Sequence, residues 1–244
     1  MSNFSIPYSF VDLTKTAGGF IKGLTTYEVA IGITQNTAAT IQKDLDLASI
    51  LHAEHKTIKA ERASIFYPAL RKADSEGRGF ITRAKKSLAV HLGEEWSEAW
   101  IVAGFKDNST QTPKSSPARE KLLGKLAGYF AAQPDQEVAE FGVNAVRAGE
   151  LHGAISAARA NLESQAKRQK AAKSALDNAL STLRKRLRAA IAELDLKLEA
   201  DSDLWGAFGL TPPAQKNRRK AKPVAAKTET PARKTETTGV VLGA

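Results

Sequence analysis

The sequence predicts an all-α protein whose frame is an antiparallel pair of long helices, and three observations predict it. From Leu151 to Leu198, Leu, Ile and Ala recur at three-and-four spacing with no proline between Pro134 and Pro212. A second Ala/Leu-patterned stretch begins roughly 110 residues earlier, which points to an internal repeat. No run alternates polar and apolar residues in the manner of a strand.

The elements follow in order. Phe10–Lys22 reads as a short helix. Gly32 then turns the chain, and Thr34 is the expected N-cap of the first long helix, with Ile33 ahead of it as an apolar staple. That helix starts at Gln35 and carries Ile41, Leu45, Ala48, Leu51, Ile58, Ile65 and Ala69 on one side. Pro68 removes an amide donor and should kink it, and Gly77-Arg78-Gly79 should weaken it before Phe80 to Leu92 resume. A short helix is expected over Glu95–Phe105, a loop from Lys106 to Ser116, and a helix over Pro117–Ala131 with Ser116 as its cap. Gly142, Val143 and Asn144 repeat the turn, staple and cap, and the second long helix runs Ala145–Ala200, about 80 Å at 1.5 Å per residue. Glu163–Lys167 and Glu193–Lys197 are spaced as i,i+4 pairs on its wet face.

The repeats span about 20–105 and 130–208. Each opens on a Phe followed by Glu-Val-Ala (Phe20 with Glu28, Phe130 with Glu137) and closes on acidic residues, Trp and Phe (Trp96, Trp100 and Phe105; Trp205 and Phe208). Two such halves suggest a rod zipped like a coiled coil, with short helices capping each end. The alternative folds the first half back at Pro68–Gly79 into a four-helix bundle. The rod is favoured because the second helix has no comparable break. The Trp–Phe pairs read as hydrophobic plugs of the two ends rather than as exposed binding hot spots.

The domain organisation is then a helical domain over 1–210 and a tail over 211–244. The tail holds eight Lys and Arg against Glu229 and Glu236, a surplus of six out of the chain's +10, and it has no aromatic residue. It cannot bury enough apolar area to offset its ordering entropy, so disorder is expected there.

The two-copy layout, its Gly-Ile-Thr and Gly-Val-Asn helix entries, and the Leu183-Arg-Lys-Arg-Leu-Arg188 … Asp203-Leu-Trp-Gly-Ala-Phe208-Gly-Leu-Thr-Pro212 ending resemble a family of uncharacterised bacterial helical proteins. The resemblance covers roughly residues 20–213. It implies the helical fold and supplies no activity, cofactor or catalytic residue. Several members of that family continue into a small β-sandwich domain, where this chain continues into its basic tail.

Chemistry is sparsely signalled. There is no cysteine, so thiolate metal sites and cysteine nucleophiles are excluded. His52, His55, His91 and His152 have no Glu three residues ahead, so the di-metal bundle motif is missing. Gly18-Gly19-Phe20-Ile21-Lys22-Gly23 leads into Leu24 rather than the Lys-Ser/Thr of a phosphate loop. No catalytic residue, cofactor or metal is assigned. The expectation is a non-enzymatic structural or protein-interaction scaffold, held by a protein partner or by self-association. The alternative is a protein that associates with nucleic acid without sequence preference. Its candidate contacts are Arg184, Lys185, Arg186 and Arg188 on the helix and Lys216, Arg218, Arg219, Lys220 and Lys222 in the tail. No apolar run approaches the roughly 18 residues of a membrane span, and no secretory signal opens the chain, so a cytoplasmic location without integral membrane association is expected.

Overall fold

The computed structural model describes residues 4–106 and 108–214. Among them the chain is all-α, with one isolated antiparallel bridge between Val138 and Val143 and no strand. Helices α1 (Phe10–Ile31), α2 (Ala38–Glu61), α3 (Tyr67–Leu92), α4 (Ala99–Val102), α5 (Ser116–Ala132), α6 (Ala145–Lys197) and α7 (Leu204–Ala207) carry the fold. A five-residue π turn, Arg62–Phe66, joins α2 to α3, and two 3₁₀ turns lie between α5 and α6.

The alternative fold-back at Pro68–Gly79 does not occur. The π turn widens the helix just ahead of the proline, with the Tyr67 amide donating to Arg62 O, and Pro68, which has no amide to donate, follows directly. Nor does Gly77 interrupt the helix. A Cβ built there would stand 2.8 Å from Ile155 Cδ1 and 3.0 Å from Leu123 Cδ1, so this glycine lets α3 approach α5 and α6 closely. α3 therefore continues the line of α2 instead of folding back, and α2 and α3 both pack on α6.

The core has two parts. At one end α1, the start of α2, the end of α6 and α7 enclose Leu13, Phe20, Ile41, Leu187, Leu194 and Trp205. At the other, the end of α3, α5 and the start of α6 enclose Phe80, Leu88, Trp100, Leu123, Phe130 and Ile155. The start of α2 thus meets the end of α6, which makes the pair antiparallel. Each end is a small helical bundle, and the tryptophans are its plugs: Trp100 and Trp205 are fully buried. Their indole N–H groups donate to Glu95 O (3.1 Å) and Glu199 O (2.9 Å).

Between the clusters lies a waist. Ile58, Gln165 and Ala172 are buried there and belong to neither cluster. Arg62 Nη1 donates to Gln169 Oε1 (3.0 Å), and its guanidinium lies 5.2 Å from the centre of the Tyr67 ring. Arg62 Nε and Gln165 Oε1 are buried without a protein partner.

Residues 211–214 of the expected tail close back on the domain, the Ala214 amide donating to Ala200 O at 3.1 Å. The remainder of the tail lies outside the described residues. No helix among those described is long and apolar enough to cross a membrane.

Candidate partner-binding cleft

Both long helical paths are entered through a glycine in the left-handed region, Gly32 (φ 78°) and Gly142 (φ 60°), a conformation that favours glycine. At each entry a glutamate from the preceding Glu-Val-Ala satisfies the first free amide. Glu28 accepts from the Ala38 amide at 2.8 Å, and Glu137 from the Ala145 amide at 2.7 Å. Asn144 caps α6 as expected, its side chain accepting from the Arg147 amide at 2.7 Å. In the first half the cap is Thr37 rather than Thr34. At α5, Ser115 occupies the cap position assigned to Ser116 from the sequence, and the Ser116 hydroxyl is buried without a partner.

The displaced cap has a cause. Thr34, Gln35 and Asn36 form an extra arc between Gly32 and Thr37, and one carboxylate holds it. Glu193 on α6 accepts from the amides of Thr34 (3.0 Å), Gln35 (3.4 Å) and Asn36 (3.2 Å) and from Asn36 Nδ2 (2.9 Å). Glu193 therefore serves this loop and makes no ion pair with Lys197. Burial pushes its carboxyl pKa up, but the donors from Thr34, Asn36 and Gln35 together outweigh burial and hold it below the ordinary 4.5.

The opposite end lacks this closure. Glu193 precedes the fully buried Leu194, and the residue preceding the fully buried Leu88 on α3 is Ser87. Ser87 cannot reach out as Glu193 does, and its hydroxyl is buried with no protein partner. The turn from Gly142 to Asn144 has no extra arc. What remains is a cleft of about 520 Å³ between the last turns of α3 and the Val138–Val143 turn. Val138, Phe141, Val143 and Val90 form its apolar wall, with Val90 82% and Phe141 65% exposed. Arg83, Lys86 and His91 stand around it. Among the described residues none of these three is in an ion pair.

The basic residues singled out on α6 divide. Arg184 turns inward, donating to Tyr8 O (2.6 Å) and Pro7 O (3.3 Å) with its guanidinium over the Tyr8 ring. Arg186 pairs with Asp44 on α2. Lys185 and Arg188 are exposed. The structure thus commits two of the four to holding the α1 end together. Lys216, Arg218, Arg219, Lys220 and Lys222 lie outside the described residues.

Other groups carry little chemistry. His52 stacks face to face on Phe10, ring centres 3.8 Å apart. No three His, Asp or Glu side chains among the described residues converge as a metal site. The carboxylates displaced from their ordinary pKa move downward. In Glu120, bonds from Arg159 and Ser156 outweigh burial; in Glu163 the Lys167 ammonium is the cause. That direction keeps a carboxylate ionised, opposite to what a general acid at neutral pH requires.

Comparisons with protein-family models, curated proteins and solved structures return no match to this chain. Its reading rests on its own residues.

Proposed function

We propose that this protein is a duplicated helical scaffold, non-enzymatic, that holds a protein partner in the cleft between α3 and the Val138–Val143 turn. Duplication is supported by the paired Glu caps, glycine turns and tryptophan plugs. It also gives the π turn a reason. The caps Thr37 and Asn144 are 107 positions apart, whereas the buried Leu88 and Leu194 are 106 apart, so the first copy carries one residue more between them. Single-turn π segments absorb such insertions within a helix.

The observation that carries the binding role is the exposed Phe141 and Val90 beside Arg83, Lys86 and His91. An aromatic left largely in water beside the unpaired Arg83 and Lys86 matches a segment that presents a bulky apolar residue next to a carboxylate. The charges would steer the encounter and the apolar wall would supply the affinity.

Selection of a random displayed peptide library on the full chain tests this. Peptides pairing Leu, Phe or Trp with a neighbouring Asp or Glu should be enriched, and Phe141→Glu, a substitution at an exposed position, should abolish the enrichment. Selection of the same peptides by the Phe141→Glu protein would overturn the assignment.

A further inference from the structure

The chain leaves the described domain at the end opposite to the cleft. Ala214 closes on Ala200, just past the end of α6, whereas the cleft lies beside the Val138–Val143 turn, just ahead of its start. The 53 residues of α6 set these two places about 80 Å apart. The sequence that follows Ala214 is first strongly basic. From residue 235 it reads Thr-Glu-Thr-Thr-Gly-Val-Val-Leu-Gly-Ala, with Glu236 as its one charged residue and Val240, Val241 and Leu242 as its bulky apolar ones. We infer that this segment, taken from a second copy of the chain, is what the cleft binds. The inference rests on the cleft reading above and names its partner.

The segment supplies both of the features that the cleft selects. Val90, Val138, Phe141 and Val143 offer an apolar wall, and Val90 and Phe141 are largely in water until something covers them. Val240, Val241 and Leu242 are of the size and polarity to do so. Arg83 and Lys86 line the same cleft, and a single carboxylate, unaccompanied by a cation, matches them. The spacing also agrees. Arg83 stands seven residues ahead of Val90 on α3, about 10 Å along the helix. Glu236 stands four residues ahead of Val240, up to about 14 Å of extended chain. Val224, the other bulky apolar residue beyond Ala214, sits between Lys222 and Lys227, whose charges the cleft would repel.

Reach decides between the chain's own cleft and another's. Twenty-six residues lead from Ala214 to Val240, at most about 90 Å of chain. Reaching back to its own cleft would draw that chain out almost straight along α6, an ordering cost on every residue. A second copy lying alongside in the opposite sense brings its α5 end next to the first copy's α1 end. Each copy then lends its segment to the other's cleft, so the association is reciprocal and closes at two.

Analytical ultracentrifugation of the full chain across a wide range of concentration tests this. The chain should form a dimer, and Phe141→Glu and Leu242→Glu should each return it to a monomer. An equimolar mixture of those two variants should recover a weaker 1:1 pair, because one intact segment still meets one intact cleft. Leu196→Glu, which removes an equally exposed apolar side chain at the end of α6, should leave the dimer unchanged. Glu236→Gln should weaken it by about threefold, as expected for an ion pair at the rim. A dimer that survives Leu242→Glu, or a mixture of the two variants that stays monomeric, would overturn the inference. So would a monomeric chain that binds an added 235–244 peptide more tightly once Leu242 is changed, since the segment would then lie in its own cleft. Enrichment of library peptides by a chain that neither dimerises nor binds the 235–244 peptide would remove this occupant and leave the cleft standing.

Discussion

At the α1 end, an arc of three residues is drawn onto α6 by Glu193; at the α5 end, the station matching Glu193 holds Ser87, the arc is missing, and a cleft stays open. The helices entering and leaving are otherwise alike, down to the glutamate that caps each entry and the tryptophan that plugs each core. The difference lies in three loop residues and one carboxylate. A packed frame can be repeated while a short loop decides whether its end is sealed or left open, because the loop's amides need only a single acceptor to be held down.

The ends also differ in how they are stapled. At the α1 end Asp44 and Arg186 form an ion pair beside the apolar cluster. At the α5 end Phe80 and Leu151 both lie within the apolar cluster, and the charged pairs lie elsewhere: Asp74–Arg119 ties α3 to α5, Arg159–Glu120 ties α6 to α5 and Arg147–Glu76 ties α6 to α3. Asp74–Arg119, with its arginine buried, is the costly one to break singly, because the remaining charge is left without a partner.

Three measurements would break or sharpen the comparison. The largest effect is expected from the plugs. Trp205→Ala and Trp100→Ala should each cost about 3–5 kcal/mol, and hydrogen exchange should accelerate in the mutated end alone. Equal acceleration at both ends would mean that the two clusters fold as one unit. A smaller effect separates the close-approach glycines. A Cβ at Gly23 would stand 2.7 Å from the backbone oxygen of Ala207, which cannot move without shifting α7, whereas at Gly77 it meets only side-chain methyls. Both glycines lie inside helices, where alanine gains up to about 1 kcal/mol of propensity, so the neighbours decide: Gly23→Ala should still destabilise by about 1–3 kcal/mol, and Gly77→Ala by clearly less. Urea denaturation of the two variants decides it. The smallest effect is the pH response of the loop. A carboxyl whose folded pKa lies below its unfolded value stabilises the fold above that unfolded value and loses the contribution as pH falls through the folded one. Protection of the Thr34 and Asn36 amides should accordingly decline as pH drops from neutrality to below 4.5, and Glu193→Gln should remove that dependence. A pH profile unchanged by the substitution would mean that another group holds the loop.

The frame was legible in the sequence because it is periodic. The Leu and Ala spacing from Leu151 onward located α6, and Asn144 declared its start by standing just ahead of the first helical residue. Pro68 and Gly77 do not turn the chain back, for a shared reason. Their local costs are real, but a π turn absorbs the first and a close helix contact uses the second, and neither compensation is written near the residue concerned. Arg184 and Arg186 looked free because their partners, Tyr8 and Asp44, are far away in sequence. The cleft escaped notice because Ser87, Val90 and Phe141 form no motif. Its one advance signal was the stretch Thr34-Gln35-Asn36, present in the first half and without a counterpart in the second.

The waist between the clusters has a mechanical meaning. Two uninterrupted helical paths cross it, so pulling on the ends must stretch hydrogen-bonded backbone. Bending meets less opposition there, since neither terminal bundle reaches that far and the filling consists of Gln165, Ala172, Ile58 and an arginine lying over a tyrosine. Such a spar holds the two terminal bundles at a fixed separation, while leaving the angle between them comparatively soft.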